Sequence, residues 1–211
     1  MIKLKYSNNL VNYTEALNYM DAQVANIYAK KGPETIWFLE HPDIYTAGVS
    51  AKPSDLLDKN IRLISTGRGG EITYHGPEMR IIYLMLDLKK RNLCDIKQYI
   101  TNLENWIINS LAQIEIKAIN IPGKRGIWVK DQNNQLKYNK IAAIGVRIRK
   151  WITFHGVAIN YNPDLTKFSK IIPCGIKDSN FGITRIKDLN SQISKDDFDQ
   201  ILKLEFSKIF K

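Results

Sequence analysis

The chain has 211 residues and a formal net charge of +10, from 31 lysines and arginines against 21 acidic residues. That length fits a single domain, residues 1–211, with a core large enough to fold without disulfides. The two cysteines, Cys94 and Cys174, show no paired spacing, which argues against a disulfide framework or zinc ribbon and for a reducing, cytoplasmic compartment. Charges or prolines interrupt every apolar stretch well short of the roughly 20 residues a membrane span needs, so no anchor or signal is expected.

In chain order, Thr14 is placed to cap a helix whose apolar residues Leu17, Met20, Val24 and Ile27 recur at helical spacing, with Gly32-Pro33 as its stop. Residues 35–39 read as a buried strand that delivers Glu40-His41-Pro42 and Tyr45-Thr46-Ala47-Gly48 to a loop. His41, before a proline, reads as structural. A short strand at 62–65 and a longer one at 80–88 bracket Arg68-Gly69-Gly70-Glu71-Ile72-Thr73-Tyr74-His75-Gly76-Pro77. Its glycines after a cation would let the backbone approach a ligand closely, presenting Arg68, Thr73 and His75 on a constrained loop. A glycine-rich hairpin with an incidental histidine is the ordinary alternative.

Asp95 caps the next helix, with Gln98 placed for a capping box and Ile96, Tyr99, Ile100, Leu103, Trp106, Ile107 and Leu111 as its apolar stripe. Strands then follow at 126–130, 136–149 and 153–161, a turn at 162–164, a second turn around Pro173-Cys174-Gly175 and a terminal helix over 195–210. Residues 132–163 hold no acidic residue, and Arg147 and Arg149 share one strand face. That face is either solvated or a surface for an acidic partner. The mixture predicts an α/β (α+β type) fold, a mixed sheet with packed helices.

No metal spacing, phosphate loop or serine-nucleophile turn is present, which leaves a cysteine as candidate nucleophile. Cys174 lies between a proline and a glycine that leave the thiol uncovered, although a small buried hydrophobe is the commoner fate of a free cysteine. Cys94 has Asp95 beside it, which disfavours a thiolate. Lys140, followed by Ile141-Ala142-Ala143-Ile144-Gly145, is the candidate cation. Alone, a strand lysine reads as a solvated charge.

The 68–77 segment with Tyr83 resembles the signature of the lipoyl (octanoyl) transferases, and further motifs continue it in order. They are Glu40-His41-Pro42, Gly126-Ile127-Trp128-Val129, Lys140-Ile141-Ala142, Phe154-His155-Gly156-Val157-Ala158-Ile159-Asn160 and Pro173-Cys174-Gly175. The resemblance implies the fold of biotin and lipoate protein ligases. It also implies octanoyl transfer from octanoyl-acyl carrier protein to a lysine of lipoyl domains, those of 2-oxoacid dehydrogenase complexes and the glycine cleavage H protein, in protein lipoylation. It assigns the thioester to Cys174 and proton handling to Lys140. It assigns acyl binding to Arg68, Gly69, Gly70, Glu71, Ile72, Thr73, Tyr74 and His75, to Ala143, Ile144 and Gly145, and to Gly156, Val157 and Ala158. No cofactor, metal, nucleic acid or membrane is implied. After Gly76-Pro77 the family pattern continues Gly-Gln, whereas this chain has Glu78-Met79. The alternatives are an ATP-dependent lipoate ligase on the same fold, which needs no cysteine, and a basic nucleic-acid-binding module, which the charge alone favours.

Overall fold

The apolar run from Ile81 to Leu86 shows no period because the protein covers both of its faces. In the computed structural model, which describes residues 2–172, 178–190 and 192–210, this run lies in a strand buried along its whole length. The elements in order are β1 (Ile2–Tyr6), α1 (Tyr13–Tyr28), β2 (Glu34–Leu39), β3 (Ile44–Ala47), β4 (Leu63–Ser65), β5 (Ile72–His75) and β6 (Met79–Met85). Then come α2 (Ile96–Ala112), β7 (Ala118–Ile121), β8 (Lys124–Lys130), β9 (Tyr138–Arg149), β10 (Ile152–Asn160), β11 (Phe181–Ile183), α3 (Ile186–Leu189) and α4 (Lys195–Ile209). A mixed sheet runs β1-β2-β6-β10-β9-β8-β7 with β11 paired to β9, and β4-β3-β5 form a second, smaller sheet.

Alternation along β6 divides the core. Ile82 and Leu84 join α2 and α4 through Tyr99, Leu103, Trp106, Phe198 and Leu202. Ile81, Tyr83 and Met85 join α1 and the small sheet through Met20, Val24, Tyr45, Ile72 and Tyr74. The predicted mixed sheet with packed helices is therefore present, and several local expectations change. Asn12, not Thr14, caps α1, its side-chain oxygen accepting from the Thr14 N–H at 2.8 Å. Asp95 caps α2 as expected, but the Gln98 side chain donates to Asn102.

The largest change is in the signature. Residues 72–75 pair antiparallel with β3, so they form a strand, and residues 45–47, expected in a loop, are its partner. Both were too short to show a period. The bend between β9 and β10 is a two-residue turn at Lys150 and Trp151, with φ of 54° and 65°.

Candidate active site

The signature loop is held from inside by its own arginine. Arg68 is buried, and its Nη2 donates to the Thr46 carbonyl (2.8 Å), Thr46 Oγ1 (2.9 Å) and the Glu71 carbonyl (2.9 Å). The adjacent glycines bring the loop against the protein itself. Gly70 has φ of +94°, and a Cβ on Gly48 would lie 2.2 Å from the Gly70 carbonyl oxygen.

Above this frame lies a slot of about 40 Å³ that gathers most of the predicted substrate residues. Arg68, Gly70, Glu71, Thr73, His75, Ala143, Ile144, Gly145, Gly156, Val157 and Ala158 all line it. Three others do not. Gly69 donates its N–H to the Val146 carbonyl, while Ile72 and Tyr74 point to the opposite face of β5, into the core, where the Tyr74 hydroxyl donates to Asp43. Sequence reasoning missed Tyr13 and Arg125 as lining residues. Neither lies in a distinctive pattern, although Arg125 precedes Gly126 of a quoted motif.

The end of the slot is aromatic. Tyr13, His75, Tyr83 and His155 line it, and His41 lies behind, its ring 6.0 Å from that of His75. His41 donates from Nδ1 to the Val11 carbonyl (2.6 Å), so its Nε2 accepts from the Tyr83 hydroxyl (2.7 Å), as expected of a structural histidine. His155 sits inside β10 with φ of +58°, an uncommon conformation that turns its N–H toward Met20 Sδ. Burial lowers the pKa of His41 and of His155 to about 4 each, the charges of Arg68 and Arg147 adding to the effect at His155. Burial drives His75 well below its usual value, helped by His41, Arg68 and His155. All three rings are neutral at neutral pH, so the slot offers no imidazole poised for proton transfer, and its charged lining residues are Arg68, Glu71 and Arg125.

Lys140 adjoins this slot. It pairs with Trp128 of β8 on one side and Ile183 of β11 on the other, and it is buried rather than solvated. Its Nζ lies 4.6 Å from the centre of the Trp128 ring and has no hydrogen-bond partner among the described residues. Gly126, at φ of +105°, makes room for the stem, since a Cβ there would lie 3.1 Å from Lys140 Cε. A cavity of about 320 Å³ opens beside Lys140, lined by Trp128, Leu165, Phe168, Phe181, Gly182 and Ile183. A small void lined by Thr73, Met79, Ala143, Asn160, Phe168 and Ile183 also touches Lys140. Thr73 and Ala143 belong to the slot as well, which places Lys140 between the slot and the aromatic cavity.

Cys174 lies outside the described residues. The described chain before it, Leu165 and Phe168, and after it, Phe181 and Ile183, lines the Lys140 cavity. Cys94 is exposed.

A model of the lipoyl protein ligase A/B catalytic domain matches residues 12–207. The chain belongs to that family. It is 48% identical over 204 residues to an octanoyltransferase of Wolbachia pipientis subsp. Culex pipiens, covering 97% of both chains. Its fold is that of a bipartite lipoate protein ligase of Thermoplasma acidophilum, at a TM-score of 0.69 and 16% identity over 99% of this chain and 84% of that one. A biotin protein ligase from Aquifex aeolicus is similar at a TM-score of 0.50 and 16% identity, over 78% of this chain and 68% of that one. The fold implied by the motifs is thereby found. No helix among the described residues is long and apolar enough to cross a membrane.

Proposed function

We propose that this family member, an acyltransferase of the octanoyltransferase type, moves octanoyl from octanoyl-acyl carrier protein to a lipoyl-domain lysine through a thioester on Cys174. The observation that carries the reading is the position of Lys140, buried between the slot and a cavity lined by Leu165 and Phe168, which precede Cys174 in the chain, and by Phe181 and Ile183, which follow it. In the first step the Cys174 thiolate attacks the octanoyl carbonyl. A new C–S bond forms, the bond to the carrier breaks, and the carrier thiolate leaves with a proton from Lys140, which is left neutral for the second step. In the second the acceptor amine attacks the same carbon, a C–N bond forms, and the Cys174 thiolate departs while the amine gives up a proton. Lys140 fits both steps, as the cation beside the thiolate and, once neutral, as acceptor of that proton. The octanoyl chain would lie along Ala143 to Gly145 and Gly156 to Ala158, and eight carbons require side-chain movement at the slot, where Arg125 is exposed. The lipoyl domains of 2-oxoacid dehydrogenase complexes and the glycine cleavage H protein are the proposed acceptors, in the reducing cytoplasm where a free thiol persists.

The test is intact mass after mixing with octanoyl-acyl carrier protein without ATP. An octanoyl adduct is expected in the wild type and in Cys94→Ser, and none in Cys174→Ala. An adduct that survives in Cys174→Ala, or transfer that requires ATP, would replace this reading with the ligase mechanism.

A further inference from the structure

The turn between β5 and β6 contains a residue in a conformation that belongs to glycine. Glu78 has φ of +64°, in the left-handed region, where a side chain is disfavoured. The family pattern has glycine at this place, so the departure at Glu78 retains a glycine's backbone while adding a charged side chain. Something must hold it there.

The holding groups come from α4. Lys195 Nζ donates to Glu40 Oε1 (2.5 Å) and to Glu78 Oε1 (2.7 Å), and the other Glu40 oxygen accepts the Glu78 N–H (2.7 Å). One cation thus ties together two carboxylates and, through one of them, the strained peptide. Four residues on, one turn along the same face of the helix, Asp199 pairs with Arg80 at 2.9 Å, both side chains buried. The two contacts of α4 fall on residues 78 and 80, on either side of Met79. Met79 is buried and lines the small void that touches Lys140.

We infer that Lys195 is a positioning residue: with Asp199 it clamps Glu78 and Arg80, and so fixes the Met79 wall against Lys140. Without Lys195, Glu40 and Glu78 repel one another across a turn that already carries an unfavourable φ, and the turn opens. Substituting glycine at 78 removes both the repulsion and the strain, so it relieves the need for the cation. This chain has exchanged a glycine for an ion-paired glutamate whose counter-charge lies more than a hundred residues away, at the start of the last helix.

The effect on rate rests on the proposed acyl transfer, whereas the clamp itself is read independently by amide hydrogen exchange across residues 76–80. In Lys195→Ala, exchange there should speed up roughly tenfold and kcat for octanoyl transfer should fall by a similar factor, with KM for the octanoyl thioester changed by less than about twofold. Lys195→Arg should keep both close to wild type, and the double variant Lys195→Ala/Glu78→Gly should recover both to within about twofold. Unchanged exchange in Lys195→Ala, or a double variant no better than the single one, would overturn the clamp. If the wild-type protein transferred no octanoyl, the proposed function would fall, and the exchange measurements would still decide the clamp.

Discussion

Acidification should destabilise this protein well before its surface carboxylates titrate. The perturbation is a change from pH 7.5 to 5.0, and the groups that respond are His41, His75 and His155. Each has its folded pKa pressed below the ordinary 6.5, to about 4 for His41 and His155 and well below that ordinary value for the fully buried His75. With the folded pKa below the unfolded one, the unfolded chain binds more protons between the two. The associated stability is complete above about pH 6.5 and is lost as pH falls from there toward 4. By pH 5.0 His41 and His155 each cost about 2 kcal/mol, and His75 adds a loss of the same sign. Asp199 acts in the opposite direction: burial, only partly offset by Arg80, raises its carboxyl from 3.8 to about 6, so protonation favours the folded state as pH falls through 6. That returns roughly 1.4 kcal/mol against about 4 kcal/mol from His41 and His155, a net loss of roughly 2.6 kcal/mol to which His75 adds, a large share of the stability of many domains. Urea unfolding followed by tryptophan fluorescence at several pH values measures it. His155→Asn, which tolerates the left-handed backbone and does not titrate, should reduce the loss between pH 7.5 and 5.0 by about 2 kcal/mol. A stability constant to within about 1 kcal/mol between pH 7.5 and 5.0 would refute the assignment of three buried neutral rings.

Lys140→Ala should slow alkylation of Cys174 by iodoacetamide at pH 7 by roughly tenfold and much less at pH 9, since loss of the cation raises the thiol pKa; an unchanged pH profile removes Lys140 from the mechanism. Gly126→Ala should lower both stability and transfer, because φ of +105° disfavours the side chain and the new Cβ would lie 2.6 Å from the Ala142 carbonyl oxygen and 3.1 Å from Lys140 Cε; a fully active, fully stable variant would contradict that packing. Arg147 and Arg149 are exposed over the Phe154 ring, at 5.6 and 5.0 Å. Reversing both to Glu should reduce the second-order rate with octanoyl-acyl carrier protein and flatten its salt dependence, while hardly changing the rate with octanoyl-coenzyme A. Equal losses with both donors would assign the arginines to the fold.

The helices and the long strands were legible because each has many residues with which to declare a period and a cap that needs few. Thus α2 begins at Asp95 and buries Tyr99, Leu103, Trp106, Ile107 and Leu111 as its stripe requires, and β9 and β10 flank the expected bend. The short pairings were not legible. Strand β1 pairs in parallel with β2 over five residues and β3 antiparallel with β5 over four, too few for alternation to stand out, and they are specified by partners distant in sequence.

At the site, residue types were legible and orientation was not. A contiguous motif reads as one functional unit, yet β5 alternates: Thr73 and His75 face the slot while Ile72 and Tyr74 between them face the core. Half of such a motif touches ligand space and the other half places it. Lysine on a strand is ordinarily solvated, and nothing local to Lys140 predicts otherwise. Its burial depends on Gly126 one strand away, on Trp128 beside it and on β11 returning to cover it. Those three features come from β8 and β11, each contact more than ten residues from Lys140 in sequence. The environment of this lysine is therefore a property of the assembled sheet. A buried amine without a hydrogen-bond partner among the described residues is costly to keep. In the proposed mechanism a thiolate on Cys174 would offset that cost, which is why the experiments above test Lys140 and Cys174 as one unit.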